Sequence, residues 1–269
     1  MRVVALVAAV LVLTGCTLFT GPTSSQVARA DTLGEEIAAL DGVADAGASY
    51  SVGFDVGNDL RVSVEPELGA TAEQIIDLVS RVNALVATAG FNGSVRSVEF
   101  ELGEDSVLSY FALHNEAFKV DEQVTHYLRW WSDPRVASLD DSSLFWVVVE
   151  PGSSVRDVYT EIAAGPPELT TDRTLRVEDP DGYMVNADRE QFAPERFDAA
   201  EEIAVLPGLT ECSFSVTQPG EGPTAYLTSC HGAATMGDAI NEILAGYGQL
   251  ADTEVQLFDD GWVTTNAVP

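Results

Sequence analysis

The chain has 269 residues, 43 of them acidic and 13 basic, for a formal charge of -30, and 46% of it is apolar. That content excludes a collagenous, low-complexity or wholly disordered chain, and it leaves room for a real hydrophobic core in one large domain or two to three small ones. The charge argues against nucleic acid as a partner, because a phosphate backbone is repelled by such a surface.

Met1-Arg2 is followed by an uncharged apolar run from Val3 to Leu13, the pattern of a positive n-region and a short h-region. Such a run spans roughly 16 Å as a helix, about half the hydrocarbon core, so it is too short for a permanent crossing. It closes on Leu13-Thr14-Gly15-Cys16. These residues resemble the lipobox of bacterial lipoproteins. The resemblance covers the first 16 residues and implies a signal peptide over 1–15, lipidation of the Cys16 sulfur and acylation of the new N-terminus. It also implies a mature protein on the extracytoplasmic face of the cell membrane, with the membrane itself as a partner through the lipid. Two or three acyl chains bury methylenes at about 0.8 kcal/mol each, which anchors stably where one chain is marginal. Lys119 is the only lysine against twelve arginines; together with the lipobox this bias resembles actinobacterial lipoproteins.

Residues 16–30 form the lipidated cysteine and a tether. Thr17 to Ala30 is rich in Thr, Ser, Gly and Pro without amphipathic period, and as a flexible coil it reaches roughly 20 Å. Anionic headgroups are expected to repel the acidic body behind it.

Three units follow. The first, 31–104, takes a helix over about Gln26 to Leu40 and a strand over Gly47 to Phe54 with Tyr50, Val52 and Phe54 on one face. A turn at Asp55 to Asp59 leads to a strand over Leu60 to Glu65. A helix over about Thr71 to Ala89 carries Ile75, Leu78, Val79, Val82, Leu85 and Val86 at helical spacing, with Thr71 as its cap. Ser94 to Leu102 is the closing strand. The second unit, 105–180, has a strand at Ser106 to Leu113, a helix at about Asp121 to Trp131 broken by Asp133-Pro134, and a short strand near Val136 to Leu139. The continuous apolar run Leu144 to Val149 predicts a central strand covered on both faces; a helix at Ser153 to Ala164 and a strand near Thr174 to Glu178 complete it. The third, 181–269, has a strand at Tyr183 to Asn186, a helix at Pro194 to Leu206, a hairpin, a helix at Ala233 to Leu250 and a strand at Glu254 to Phe258. Short echoes link the units, such as Glu35-Glu36-Ile37-Ala38 with Glu201-Glu202-Ile203-Ala204. The order helix, strand, strand, helix, strand predicts an α+β protein of tandem ferredoxin-like units with antiparallel sheets.

With Cys16 lipidated, Cys212 and Cys230 remain, and an exported chain with two further cysteines points to a disulfide. A hairpin centred near Glu221 sets Cys212 opposite Cys230, Phe214 opposite Thr228 and Val216 opposite Tyr226. The bridge is expected to contribute about 3 kcal/mol. Asp179 and Asp181, before Gly182, are a weak candidate for Ca2+, with Asn186 or Asp188 completing a loop; Asp-Pro-Asp-Gly is equally an ordinary turn. Tyr127, Trp130 and Trp131 share one helix face, either packed in the core or offered as a binding platform. The histidines are His114, His126 and His231, and Cys230-His231 lacks a second ligand pair at metal spacing. No Gly-x-Ser-x-Gly, His-Glu-x-x-His, Walker or Gly-x-Gly-x-x-Gly motif occurs. The expected function is a non-catalytic binding or interaction module of the cell envelope, taking a protein, a peptide or a wall component, or a spacer in a larger assembly. The alternative is an envelope hydrolase or metal-assisted enzyme using surface carboxylates, which a deep acidic pocket favours and a flat apolar patch does not.

Overall fold

Thr23 and Gln26 decide where the folded chain begins. The Thr23 hydroxyl accepts the Gln26 amide, and the Gln26 side chain accepts the Thr23 amide at 2.8 Å. This reciprocal box satisfies two of the amides a helix start leaves orphaned, so α1 runs over Ser24–Ala38. The helix thus begins two residues before the expected Gln26 and takes in Ser24 to Ala30 of the stretch read as a tether. The computed structural model describes residues 21–53, 57–91, 95–103, 106–111, 117–141, 144–165, 174–187, 194–217, 225–247, 253–259 and 262–266. Cys16 and the residues read as a signal peptide, 1–15, lie outside them. Among the described residues no helix is long and apolar enough to cross a membrane. The chain divides into two units, Met1–Val124 and Thr125–Pro269.

In unit 1, β1 (Val43–Gly53) and β2 (Gly57–Pro66) form an antiparallel hairpin with Tyr50 opposite Leu60. A second capping box, Thr71 with Gln74, starts α2 (Ala72–Thr88). The chain returns as β3 (Val95–Glu101), parallel to β2, and β4 (Val107–Phe111) pairs antiparallel with β3. Leu60, Val62 and Val64 of β2 and Val98 and Phe100 of β3 are buried with Leu33, Ile37, Ile75, Leu78, Val82 and Val86 of the helices. The alternate residues Arg61, Ser63 and Glu65 are exposed, so one sheet face carries the core. Gly34 lets α1 lie close on β1, since a β-carbon there would meet the Ala48 nitrogen at 3.0 Å.

Unit 2 starts within α3 (Ala117–Trp131) and runs β5 (Val136–Asp140), β6 (Phe145–Val149), α4 (Val155–Ala163), β7 (Leu175–Glu178), β8 (Met184–Ala187), α5 (Pro194–Ala204), β9 (Thr210–Thr217), β10 (Ala225–His231), α6 (Gly237–Gly246), β11 (Glu254–Asp259) and β12 (Trp262–Asn266). The pairs β5–β6, β7–β8, β9–β10 and β11–β12 are antiparallel. The pairs β6–β7, β8–β9 and β10–β11 are parallel, each bridged by a helix.

The protein is thus mixed α/β, but its sheets are not antiparallel as expected. In a ferredoxin-like unit a third strand separates the two that flank a helix; here β2 and β3 are hydrogen-bonded neighbours. Hydrophobic alternation specifies which face of a strand is buried and says nothing about its neighbour, which is why the element order was legible and the pairing was not. The run at β6 also differs from expectation. Phe145, Val147 and Val149 are buried while Trp146 and Val148 are half-buried, so only one face is covered.

Candidate functional site

Two sets of residues singled out in the sequence meet in unit 2, around the Cys212–Cys230 disulfide. The bridge joins β9 and β10 with its Cα atoms 4.2 Å apart, and both cysteines are buried. Phe214 faces Thr228 and Val216 faces Tyr226, as the alternation predicted. The register slips between Ser229 and His231, so Glu211 and Cys212 together oppose Cys230. This is a β-bulge, and Glu211 adopts φ +48 within it, a conformation uncommon outside glycine. The bulge turns Glu211 out to solvent, where its carboxylate lies 3.5 Å from the His231 imidazole. The His231 ring stacks on Phe258 at 5.4 Å.

The turn between β7 and β8 lies beside this bulge. One Asp179 carboxylate oxygen accepts the amides of Asp181 at 3.0 Å and Tyr183 at 2.9 Å. The Asp179 amide donates to the Tyr183 carbonyl at 3.0 Å. Gly182 is needed twice over: its φ is +86, and a β-carbon there would sit 2.8 Å from the Glu211 Cα. The turn and the bulge therefore fit as one surface.

They form one wall of a recess of about 540 Å³, closed on the other side by α5 and the segment after it. Asp179, Asp181, Glu201 and Glu211 bring four carboxylates to it, and Val205 and Leu209 give it an apolar floor. Val205 is 77% exposed. The Tyr183 hydroxyl, also at the recess, is buried without a hydrogen-bond partner among the described residues. Burial holds its pKa above the ordinary phenol value, and the charges of Glu201 and Asp179 add to the shift. Glu201 is in turn 3.5 Å from Arg156, which also binds Asp198 at 2.6 Å and so ties α4 to α5. A recess with this lining suits a positively charged group carried next to an apolar one.

Of the residues proposed for calcium, Asp179 closes the turn and Asp181 lines the recess. Among the described residues no group of three or more His, Cys, Asp or Glu side chains is placed to hold a metal. Asp188 lies outside the described residues, as does His114.

The aromatic platform is corrected. Tyr127 is fully buried and Trp130 is 1% exposed; only Trp131 is half-buried. The spacing that puts them on one helix face also points that face into the core. The Tyr127 hydroxyl donates to the Leu139 carbonyl at 2.6 Å, and burial followed by the charges of Asp141 and Asp140 raises its pKa. The guanidiniums of Arg129 and Arg135 lie 5.5 and 5.8 Å from the Trp130 ring centre.

Sequence reasoning missed Glu201, Glu211, Val205 and Tyr183 as parts of one recess. Nothing in local spacing signals it, because the bulge and a parallel β8–β9 pair bring them together. No protein-family model, no curated protein and no solved structure matches the chain.

Proposed function

We propose that the protein is a lipid-anchored binding module on the extracytoplasmic face of the cell membrane, held by acylated Cys16. One observation carries the reading: Cys212 and Cys230 are joined, which fits an oxidising compartment and leaves Cys16, after Leu13-Thr14-Gly15, as the single remaining cysteine. The succession helix, strand, strand, helix, strand, strand is read as three tandem modules, beginning at α1, α3 and α5. The recess beside the disulfide is the surface we assign to binding. Its four carboxylates favour a basic segment of an envelope protein or a wall peptide with a free amine.

The test is the state of the mature N-terminus. Intact-mass analysis of membrane-purified protein is expected to show cleavage after Gly15 and acyl chains on Cys16, and Cys16→Ser is expected to move the protein from the detergent to the aqueous phase on partition. An uncleaved leader on a cytosolic product overturns the proposal.

A further inference from the structure

Each of α1 to α6 is followed by an antiparallel pair of strands. At four places the second strand of one pair takes the first strand of the next in parallel: β2 with β3, β6 with β7, β8 with β9 and β10 with β11. Two strand edges have no such neighbour among the described residues. One is the outer edge of β1, the first strand of the first pair; the other is the outer edge of β12, the second strand of the last pair. In kind, they are the two halves of one further joint.

A free edge templates another strand through its unpaired amides and carbonyls, and proteins ordinarily blunt it with lysine, proline or charge. β1 is the longest described strand, at 11 residues. It has no lysine and no proline, and its single charge, Asp45, sits at the register slip where the strand opens. From Ala46 to Gly53 nothing is charged, in a chain of charge -30. β12, Trp-Val-Thr-Thr-Asn, is uncharged too and rich in strand-favouring types. The ground beside the β1 edge is apolar. Arg29 of α1 donates to the Gly90 carbonyl at the end of α2. Val27, about 160° away around the helix, therefore turns to the opposite flank, where Gly34 two turns on lies against the β1 backbone. Val52 shares a strand face with the buried Tyr50, yet it is 40% exposed, and Val27 is 41% exposed. These are two of the five large apolar side chains exposed among the described residues.

We infer that β12 of one copy pairs in parallel with β1 of the next, a head-to-tail contact between copies of this chain. The occupant is a second copy because the joint completed is one the chain already makes four times, each time with a helix leading into the added first strand, as α1 leads into β1. The five residues of β12 extend roughly 17 Å, enough to lie along half of β1 and shelter apolar surface beside Val27 and Val52. The contact is heterologous. Each copy offers one edge and takes another, so association continues past two copies unless its rotation closes a ring. The like net charges of the bodies oppose it, and salt that screens them strengthens it. It depends neither on the anchor nor on the recess beside the disulfide.

Sedimentation velocity on the protein as purified from cells, in nonionic detergent with micelles in large excess over protein, reads the contact. The unsubstituted chain is expected to form oligomers that grow with concentration and shift to larger species as salt is raised. Ser49→Lys, at an exposed position of β1, blunts one edge, and Thr264→Lys blunts the other. Each variant alone is expected to lose association, although each makes the net charge that opposes it less negative. Their equimolar mixture is expected to recover a dimer that grows no further, since each variant keeps the edge the other lacks. That recovery also shows that both variants fold. A monomer at every concentration and salt overturns the inference. So does association that neither lysine weakens, and so does a loss with Ser49→Lys that the mixture fails to restore, the result expected if β1 pairs with β1.

Discussion

The two units use arginine differently. In unit 1, Arg29, Arg81 and Arg96 donate to backbone carbonyls of Gly90, Asp41 and Phe91, and so fasten loops to helix ends, while the ion pairs Arg61–Asp59 and Arg81–Asp77 each lie within one element. In unit 2, Arg135, Arg156 and Arg176 bind carboxylates: Asp133 and Glu161, Asp198 and Glu201, and Glu178. The lesson concerns a chain of charge -30. Where carboxylates crowd neighbouring elements, a planar cation between them relieves repulsion and fixes their spacing. Where a loop must be closed over a core, the same group satisfies carbonyls that water would otherwise have to reach. Unit 2 adds a disulfide and a buried indole; the described part of unit 1 rests on capping boxes and aliphatic packing.

The contrast can be broken by removing what is particular to unit 2. Trp130→Ala is expected to have the largest effect, a loss of about 3–5 kcal/mol. Hydrogen-exchange mass spectrometry should place the lost protection in unit 2 and leave α2 and β2 of unit 1 unchanged. Equal loss in both units would show that they unfold as one body. Replacing Cys212 and Cys230 by serine comes next, at about 3 kcal/mol, read as a lower denaturant midpoint for β9, β10 and α6.

The smallest effect sharpens the arginine comparison. The Arg135 guanidinium beside Asp133 holds that carboxyl below its usual range. A depressed carboxylate supports the fold above its unfolded value of about 3.9, and the support disappears as pH falls through the lower folded value. Asp133→Asn should therefore cost about 0.5–1 kcal/mol at neutral pH. The gap between it and the unsubstituted chain, followed by urea midpoints against pH, should close on acidification. A constant gap would mean that Asp133 acts through its shape alone.

How much of this was readable beforehand varies with the range of the interaction. The α2 stripe of Ile75, Leu78, Val79, Val82 and Val86 and the Thr71 cap are local, and all are found where the spacing put them. The hairpin that pairs Phe214 with Thr228 was equally legible, because strand alternation and a turn suffice. The start of α1 was placed at about Gln26, two residues late, since a Thr-Gly-Pro-Thr-Ser-Ser run hides a capping box behind linker composition. The strand Trp262–Asn266 was missed as well, and so were the parallel pairs. Of the recess, Asp179, Asp181 and Cys212 were named for separate reasons. Their meeting depends on a one-residue bulge and on Gly182 beneath it, which no periodicity encodes.

The indole of Trp130 sits away from water with two guanidiniums near its ring. That arrangement gives the molecule an optical reporter of its own. Its emission should be blue-shifted in the native state and move to the red as α3 detaches, so the loosening of this helix can be timed in a stopped-flow trace without adding a dye.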